Sequence, residues 1–560
     1  MKSRHFSISA AMRNKMRRLA VGGLIAVALL ITAVFISIGT TTSSTAIAAV
    51  SPCPYPLIDA NRPVAPAAAA NEVATFTDPT ADISSEGFVL VSHNVYIAPF
   101  ARLEAQSSEQ GICIEEASNV QDNTLVKVNG GPIHLGAHAI MAHGSELVGD
   151  GTEVTLGHYP KPNATDTGFA GFDASCTIQP PPHRPSLHDH FLSPDHPSFT
   201  TAEARGRQAL GIALVEFATM PGGERFKCGE VPAFISFNAL NQSQIEDGAL
   251  LSAASRLTRG VILRAGYTSW PGKSLNTQLE ADTPGDFSTG QKVRYVTAGD
   301  IAFMTNVVHV NECLAKGYTM QYRDTARAIH PFGGPESIYG IGIDPGSYHR
   351  CEFNNDSERP TIGYPPDADL SVRDINLAVA NPNPDKKIRL IGDVRMVDID
   401  KIQDNVSIRA DEGEPFTFRG GIEFGFANTF HALEIGEEDL NREIRVGPGV
   451  KFEERVIVHG GGRRQRVGAP GEETTRIGEL SYIGKESVVF RSDIEPRTQV
   501  GAKAVLAGYT NCTNPRGEVV DPNAPCHPPG YHGTPEVIPD RCVKFQDGNP
   551  RGTCAYFVEW

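Results

Sequence analysis

The sequence predicts a mainly β protein made of two tandem parallel β-helices, and two observations support this. The 55 glycines and 40 prolines among 560 residues favour turn-rich β structure over a helical bundle. Apolar residues also recur at every sixth position in several stretches, which fits neither an α-helix nor an isolated amphipathic strand. This period fits coils of three short faces, each with one inward residue stacked on the preceding coil. Chance spacing in a Val- and Ile-rich sandwich is the alternative.

The six-residue series define the expected domains. They are Val91, Ile97 and Leu103; Ala233, Ala239, Ile245, Leu251, Leu257 and Leu263; Leu390, Met396, Ile402 and Ile408; and Val488, Ile494, Val500 and Leu506. We therefore expect β-helix A at residues 85–325 and β-helix B at residues 385–510. Residues 49–84 and 326–384 are expected to be linkers, and residues 511–560 a Cys-rich tail.

An aperiodic insertion interrupts β-helix A at about residues 157–229. It contains four histidines, which are His183, His188, His190 and His196. These could form a surface metal site, but a polar lid with chance histidines is the favoured interpretation.

The first 48 residues have the layout of a signal peptide. They contain six Lys or Arg and no acid, then an apolar run at 19–39, and they end at Ala46-Ile-Ala48. The apolar run is long enough to span a bilayer, so an uncleaved membrane anchor is the alternative. All ten cysteines follow this segment, and an even number in an exported chain predicts disulfides. We expect a secreted, periplasmic or cell-surface protein.

The overall charge argues against a nucleic-acid partner. The formal net charge is -15, and the signal segment holds only basic charges, so the remainder of the chain is more acidic still. Binding to phosphates needs clustered cations. A folded, acidic, exported protein is expected.

Several motifs of the two β-helices carry candidate site residues. β-helix B, also called block B, contains Ser407-Ile-Arg-Ala-Asp-Glu-Gly-Glu-Pro-Phe416 and Phe430-His-Ala-Leu-Glu434. β-helix A, also called block A, contains Ser118-Asn-Val-Gln-Asp122, Leu135-Gly-Ala-His-Ala-Ile-Met-Ala-His143 and Val307-Val-His-Val-Asn311. These motifs resemble the γ-class carbonic anhydrases, a family that forms trimers of left-handed β-helices with zinc sites between subunits. The resemblance spans about two family domains and implies left-handed β-helices, with an α-helix after the first. It also implies reversible hydration of carbon dioxide to bicarbonate.

The family's three metal-binding histidines are divided between the two blocks. In the family, the first and last histidines come from one subunit and the middle histidine from its neighbour. Block B matches the first and last places at His431 and His459 but has Glu454 in the middle. Block A matches only the middle place, at His143, and has Lys127 and Val148 in the first and last places. The resemblance therefore implies one composite site between A and B.

The supporting residues follow the same division. Arg409 and Glu412 of B match one side of the family site, and Asn119, Gln121 and Asp122 of A match the other. By this resemblance Glu412 and Glu434 would carry protons, and Arg409 would pair with Asp122 across the interface. Gln121 and Asn311 are also candidate active-site residues.

The sequence is compatible with more than one metal, function and arrangement of the site. Imidazole ligands suit zinc but also iron or cobalt. The family resemblance implies a homo-oligomer with trimer-like packing. The alternatives to an enzyme acting on carbon dioxide and bicarbonate are a non-catalytic exported scaffold and a hexapeptide acyltransferase. In a second account, the metal site lies between two B blocks and its ligands are His431, His459 and Glu454.

Overall fold

The structure is a computed structural model. It describes residues 75–157, 193–323, 341–344, 388–431, 444–460, 475–511, 535–545 and 551–560, apart from short gaps within these ranges. The predicted signal segment, the four histidines of the insertion, and Glu412 and Glu434 lie outside the described residues. Within the described part of the chain, no helix combines the length and apolar character needed to cross a bilayer.

Block A is a parallel β-helix of short strands. Its strands are β1 (Phe76–Thr77), β2 (Asp82–Ile83), β3 (Val89–Val91), β4 (Tyr96–Ile97), β5 (Arg102–Glu104), β6 (Ile112–Ile114), β7 (Asn119–Val120), β8 (Leu125–Lys127), β9 (Ile133–Leu135), β10 (Ala139–Met141), β11 (Glu146–Val148), β12 (Val154–Leu156), β13 (Ala233–Ile235), β14 (Leu240–Asn241), β15 (Leu250–Leu251), β16 (Arg256–Leu257), β17 (Tyr267–Ser269), β18 (Ser274–Leu275) and β19 (Val293–Tyr295). They form three sheets, in the orders β1-β4-β7-β10-β13-β15-β17-β19, β18-β16-β14-β11-β8-β5-β2 and β12-β9-β6-β3. Only the β17–β19 pairing among these is antiparallel.

Block B repeats this architecture. Its strands are β20 (Ile341–Asp344), β21 (Ile388–Gly392), β22 (Val394–Met396), β23 (Ile399–Ile402), β24 (Val406–Ala410), β25 (Phe416–Phe418), β26 (Ile422–Phe424), β27 (Thr429–His431), β28 (Ile444–Val446), β29 (Lys451–Phe452), β30 (Ile457–His459), β31 (Thr475–Ile477), β32 (Tyr482–Ile483), β33 (Val488–Phe490), β34 (Asp493–Ile494), β35 (Gln499–Val500), β36 (Val505–Ala507), β37 (Val537–Ile538), β38 (Cys542–Phe545) and β39 (Tyr556–Phe557). The sheet orders are β20-β21-β24-β27-β30-β33-β36-β38-β39, β22-β25-β28-β31-β34 and β23-β26-β29-β32-β35-β37. The predicted mainly β class and the hexapeptide-repeat β-helix are confirmed.

The six-residue series form the cores of the two β-helices. Each block has its own cluster of inward side chains, because successive coils stack one inward residue per face. One predicted position is wrong. Val488 faces outward into the A–B interface, and Val489 takes the inward place above Leu506. The reason is that the next inward residue, Ile494, follows the inward Val489 after five positions instead of six.

Two longer helices pack beside β-helix A. Helix α1 (Ala202–Phe217) begins at Thr201, whose side chain accepts a hydrogen bond from the Ala204 N–H. A short helix, α2 (Gln278–Ala281), follows β18. Helix α3 (Ala298–Arg323) packs on α1, β1, β4 and β10, and is the helix expected after the first block. A β-carbon on Gly206 of α1 would lie 2.3 Å from the Ala265 carbonyl, so glycine permits this close packing.

Segments predicted as linkers or as the Cys-rich tail contribute secondary structure. Residues 76–77 and 82–83 form strands of the first coil of A, residues 341–344 pair with β21, and residues 537–545 and 556–557 continue the sheets of B. Helix α1 lies inside the insertion that sequence periodicity left aperiodic. Short strands of two to four residues carry too little periodic signal to be found in such segments.

A third apolar cluster joins the two blocks. Phe234 and Phe237 of A meet Ile457, Val488 and Val505 of B there, all at least nine-tenths buried. Polar contacts fix the register at the corners of the coils. The Asn123 side chain donates to the Asn405 carbonyl (3.2 Å), and that of Asn238 donates to the carbonyls of Arg455 (3.2 Å) and Glu486 (3.0 Å).

The last residues of B reach across to A. We call residues 555–560 the C-terminal clasp. The Trp560 indole donates to the Ala254 carbonyl (2.7 Å), and Glu559 accepts from the Lys273 ammonium (3.2 Å) and the Ser274 N–H (3.0 Å). A disulfide between Cys542 of β38 and Cys554 fixes the residue directly before the clasp. One disulfide of the predicted Cys-rich tail is therefore present among the described residues.

Candidate metal centre

Two histidines of block B stand side by side on one face of a sheet. His431 ends β27 and His459 ends β30, and the two residues are direct partners in the parallel register. In-register neighbours project to the same face, so their imidazoles are adjacent, with ring centroids 5.2 Å apart. Arg409 stands above them and Phe490 below them in the same column. The sheet therefore presents a preformed His–His pair toward block A.

Block A supplies the third histidine from a turn. His143 lies two residues after β10 and is completely buried. Its Nδ1 is 3.0 Å from Oδ2 of Asp122. An ionised carboxylate can only accept, so Nδ1 carries the proton and Nε2 offers its lone pair. This contact points Nε2 of His143 toward the histidines of B.

The three imidazoles converge on one point. One ring nitrogen from each of His143, His431 and His459 lies within 4.8 Å of the others. Nε2 of His143 is 3.1 Å from Nδ1 of His431. Three imidazoles bound tetrahedrally to zinc place their nitrogens about 3.3 Å apart, given Zn–N bonds of about 2.0–2.1 Å. The cluster can hold a metal ion with only small adjustments of the side chains.

The protonation states favour metal binding. Burial lowers the pKa of His143 to about 4, although Asp122 acts in the opposite direction. Burial, together with the neighbouring His431 and His143, holds the pKa of His459 well below its usual value. Nδ1 of His459 contacts the Gly460 carbonyl at 3.0 Å, so its Nε2 is the nitrogen left for the centre. Neutral imidazoles are the form that binds a metal.

A buried ion pair holds the A side against the B side. Arg409 donates from Nη2 to Oδ2 of Asp122 (2.8 Å) and from Nε to Oδ1 (3.0 Å), and both side chains are fully buried. Ser407 also donates to Oδ1 of Asp122 (2.5 Å). Burial alone would raise the pKa of Asp122, but Arg409 and His143 outweigh it and hold that pKa well below its usual range. The ion pair expected from the sequence is present.

A small cavity adjoins the histidines. Its volume is about 10 Å³, and its lining consists of Gln121, Phe234, Phe237, Phe303, Val307, Val310, Asn311, His431 and His459. A cavity needs roughly 10–15 Å³ of such volume to hold one water molecule. The two candidate amides, Gln121 and Asn311, therefore lie beside the cluster, in a space suited to a very small molecule.

The centre is lined by aromatic side chains that were not identified from the sequence. Phe237 stacks parallel to His143 (5.8 Å, 6°) and lies 5.2 Å from the His459 ring. Phe490 lies 5.4 Å from His459 and 5.6 Å from Phe237. Phe490 pairs with His459 in the parallel register, so it faces outward beside the histidines. Its position was missed because the six-residue series placed Val488, two positions earlier in the same strand, in the core.

The residues at the other ligand places of the family lie away from the histidine cluster. Lys127 of A pairs with Glu104 at 2.9 Å on a partly exposed sheet. Glu454 of B pairs with Lys485 at 2.9 Å, and about half of the Glu454 side chain is exposed. Within the described residues, the three histidines are the one such group found. Glu412 and Glu434 fall outside these residues, so their positions are not described.

Comparison with known proteins gives limited similarity. No protein-family model matches the chain. The carboxysome assembly protein CcmM of Synechocystis sp. is 28% identical over 125 residues, which are 21% of this chain and 18% of that protein. The chain thus spans less than a fifth of that relative's length. A hexapeptide transferase family protein from Anaplasma phagocytophilum is 17% identical, with 43% of this chain and 91% of that chain covered and a TM-score of 0.19.

The strand pairing and the cluster together define a class of protein. The chain is a double β-helix with hexapeptide repeats, and it has a buried three-histidine centre between the two β-helices that can hold a metal. The TM-score of the solved structure is too low to add to this assignment.

Proposed function

We propose that the chain is a γ-class carbonic anhydrase whose centre forms within one chain, between β-helices A and B. The observation that carries the proposal is the meeting of His143 with His431 and His459, since neither block by itself supplies all three of these ligand histidines. The family resemblance, the 10 Å³ cavity and the neutral imidazoles support the same reaction.

In this mechanism the chain positions the reactants. A bound zinc ion would supply a Lewis acid that lowers the pKa of water to about 7. Asp122 orients His143, and the Arg409 ion pair fixes Asp122. Gln121 and Asn311 line the cavity and offer amides for orienting a carbon dioxide molecule. The family resemblance gives proton transfer to Glu412 and Glu434. Zinc is proposed first, and iron or cobalt suit the same three imidazoles.

The site argues against one alternative function, the acyltransferase, and metal analysis tests the other, the scaffold. A space of about 10 Å³ cannot take an acyl-CoA thioester, so a transferase reaction at this cavity is disfavoured. A scaffold role would resemble the assembly function in the name of the Synechocystis relative. A scaffold needs no metal, so metal analysis separates it from the enzyme.

The test is metal content and carbon dioxide hydration in matched variants. His143→Ala, His431→Ala and His459→Ala should each lose most of the bound metal and nearly all hydration activity, because each removes one of three ligands. Glu454→Ala is the control and should keep both, because Glu454 pairs with Lys485 on the surface. Full metal content in His143→Ala together with its loss in Glu454→Ala would establish the B–B account instead.

We also propose export, from the basic, apolar and small-residue layout of the first 48 residues. The mature chain should then begin near Ala49, outside the cytoplasmic membrane, or remain anchored through residues 19–39. N-terminal sequencing that finds Met1 on a soluble cytoplasmic protein would contradict this. The proposed assembly is a homo-oligomer with trimer-like packing of β-helices, and a monomer in sedimentation experiments would contradict it.

A further inference from the structure

Eight of the nine residues around the cavity are sealed from solvent. Gln121, Phe234, Phe237, Val307, Val310, Asn311, His431 and His459 each expose 5% or less of their surface. Phe303 is the exception, since it is only partly buried. Among the described residues, Phe303 is therefore the side chain that separates the cavity from the outside.

The surroundings of Phe303 fit this position. Its ring lies 5.4 Å from Phe234 of block A and 6.5 Å from Phe490 of block B. The Phe303 ring thus lies next to aromatic residues of both β-helices at their interface. Phe303, Val307 and Asn311 are spaced four residues apart on α3, which puts them on one face of that helix, along the cavity.

We propose that the Phe303 ring is the gate and size filter of the centre. In the position shown, it leaves room for a molecule of about the size of one water. Rotation about its χ1 would open a path between Phe234 and Phe490, and such rotations are fast for side chains that face solvent. The gate admits small linear molecules and excludes bulky ones. This inference deepens the proposed function, and it rests on that function only for the identity of the substrate.

Histidine labelling tests the gate without any metal. Diethyl pyrocarbonate acylates neutral imidazoles, and peptide mass spectrometry reports the rate at His431 and His459. In metal-free Phe303→Ala these two rates should rise about tenfold over wild type, because labelling tracks the population of open sites. Phe303→Trp should slow them. Equal rates in wild type and Phe303→Ala, with unchanged thermal unfolding, would overturn the gate.

Phe287→Ala is the matched control. Phe287 is also partly buried and packs on the aromatic rings of Trp270, Phe545 and Tyr556, but it does not line the cavity. Its replacement should leave labelling of His431 and His459 at the wild-type rate. An increase equal to that in Phe303→Ala would mean general loosening and would overturn the gate.

The cobalt-loaded protein gives a second readout. Azide, a linear triatomic anion, should change the visible spectrum of both wild type and Phe303→Ala, whereas benzenesulfonamide should change only that of Phe303→Ala. Binding of benzenesulfonamide to the wild type would overturn the size filter. If no cobalt binds but labelling still responds to Phe303→Ala, the proposed function fails and the gate stands. If cobalt binds and Phe303 has no effect on either measurement, the gate fails alone.

Discussion

At the scale of single residues, the centre depends on charges that are buried in pairs. Arg409 and Asp122 are both fully removed from water, which costs several kcal/mol per ion unless hydrogen bonds replace the lost hydration. Two bonds from the guanidinium, one from Ser407 and the contact with His143 provide that replacement for Asp122. Arg389 and Asp78 form a second buried pair between the blocks, at 3.0 Å.

This arrangement predicts strong coupling between Arg409 and Asp122. Each single change to Ala should lower the free energy of unfolding by about 3–5 kcal/mol, because it leaves an uncompensated buried charge. The double mutant should cost clearly less than the sum of the two. Denaturant unfolding of the four proteins measures the coupling. Lys451→Ala is the control and should have little effect, because its pair with Glu423 is exposed. Strictly additive losses would contradict the pairing.

At the scale of elements, the coils bring distant segments into register, and the C-terminal clasp fastens the far end of the interface. The order of strands places Arg409, His431, His459 and Phe490 in one column. The clasp adds hydrogen bonds from Trp560 and to Glu559, and the Lys503 ammonium lies 4.7 Å from the centroid of the Trp560 ring. The clasp therefore belongs to the A–B interface although its strand β39 is part of a sheet of block B.

Trp560→Ala should loosen the interface. We expect a loss of about 1–3 kcal/mol in the free energy of unfolding, because a hydrogen bond and the packing of a large ring are removed together. Phe557→Ala is the matched control within the clasp and should be nearly neutral, since Phe557 is 54% exposed. Thermal unfolding of both variants measures the difference. Equal destabilisation of the two would show that Trp560 is not the anchor.

At the scale of the whole molecule, β-helices A and B share one buried apolar cluster and one centre, so they should unfold together. The pH dependence of stability should report the buried histidines. The pKa of His143 is about 4 in the folded chain, and that of His459 is also well below the ordinary value of about 6.5. The unfolded chain binds their protons first, so stability falls as the pH drops from about 6.5 toward about 4.

At pH values above this range, stability should instead fall as the pH rises. Burial alone would lower the pKa of His309, but Glu224 and Glu312 raise it to about 9. The stability from its protonated form is therefore complete below about 6.5 and is lost as the pH rises through about 9. Calorimetry of the metal-free protein should give one transition with highest stability near neutral pH. His459→Gln should make the fall in stability on the acid side less steep, because only His143 then contributes to it, whereas two separate transitions, or a flat acid side in wild type, would contradict this account.

The amino-acid sequence by itself determined the repeating part of the fold. Each coil needs an inward apolar residue at fixed spacing, so the constraint is local and is written every six positions. The sequence also determined the division of the candidate site, because His143 and Asp122 occur in one block and Arg409, His431 and His459 in the other. The periodic signal failed where a corner was one residue shorter, at Val488, and where short strands stood alone, as at residues 341–344.

Only the tertiary structure decided what meets across the interface. His143 and His431 are 288 positions apart, and no local pattern fixes the distance between their nitrogens. The aromatic wall, the clasp and the position of Phe303 depend on how two finished β-helices fit together. Such contacts are set by the shapes and charges of whole surfaces, which a six-residue period does not encode. The period decides which side chains point inward, and packing between the β-helices decides which of the others form the site.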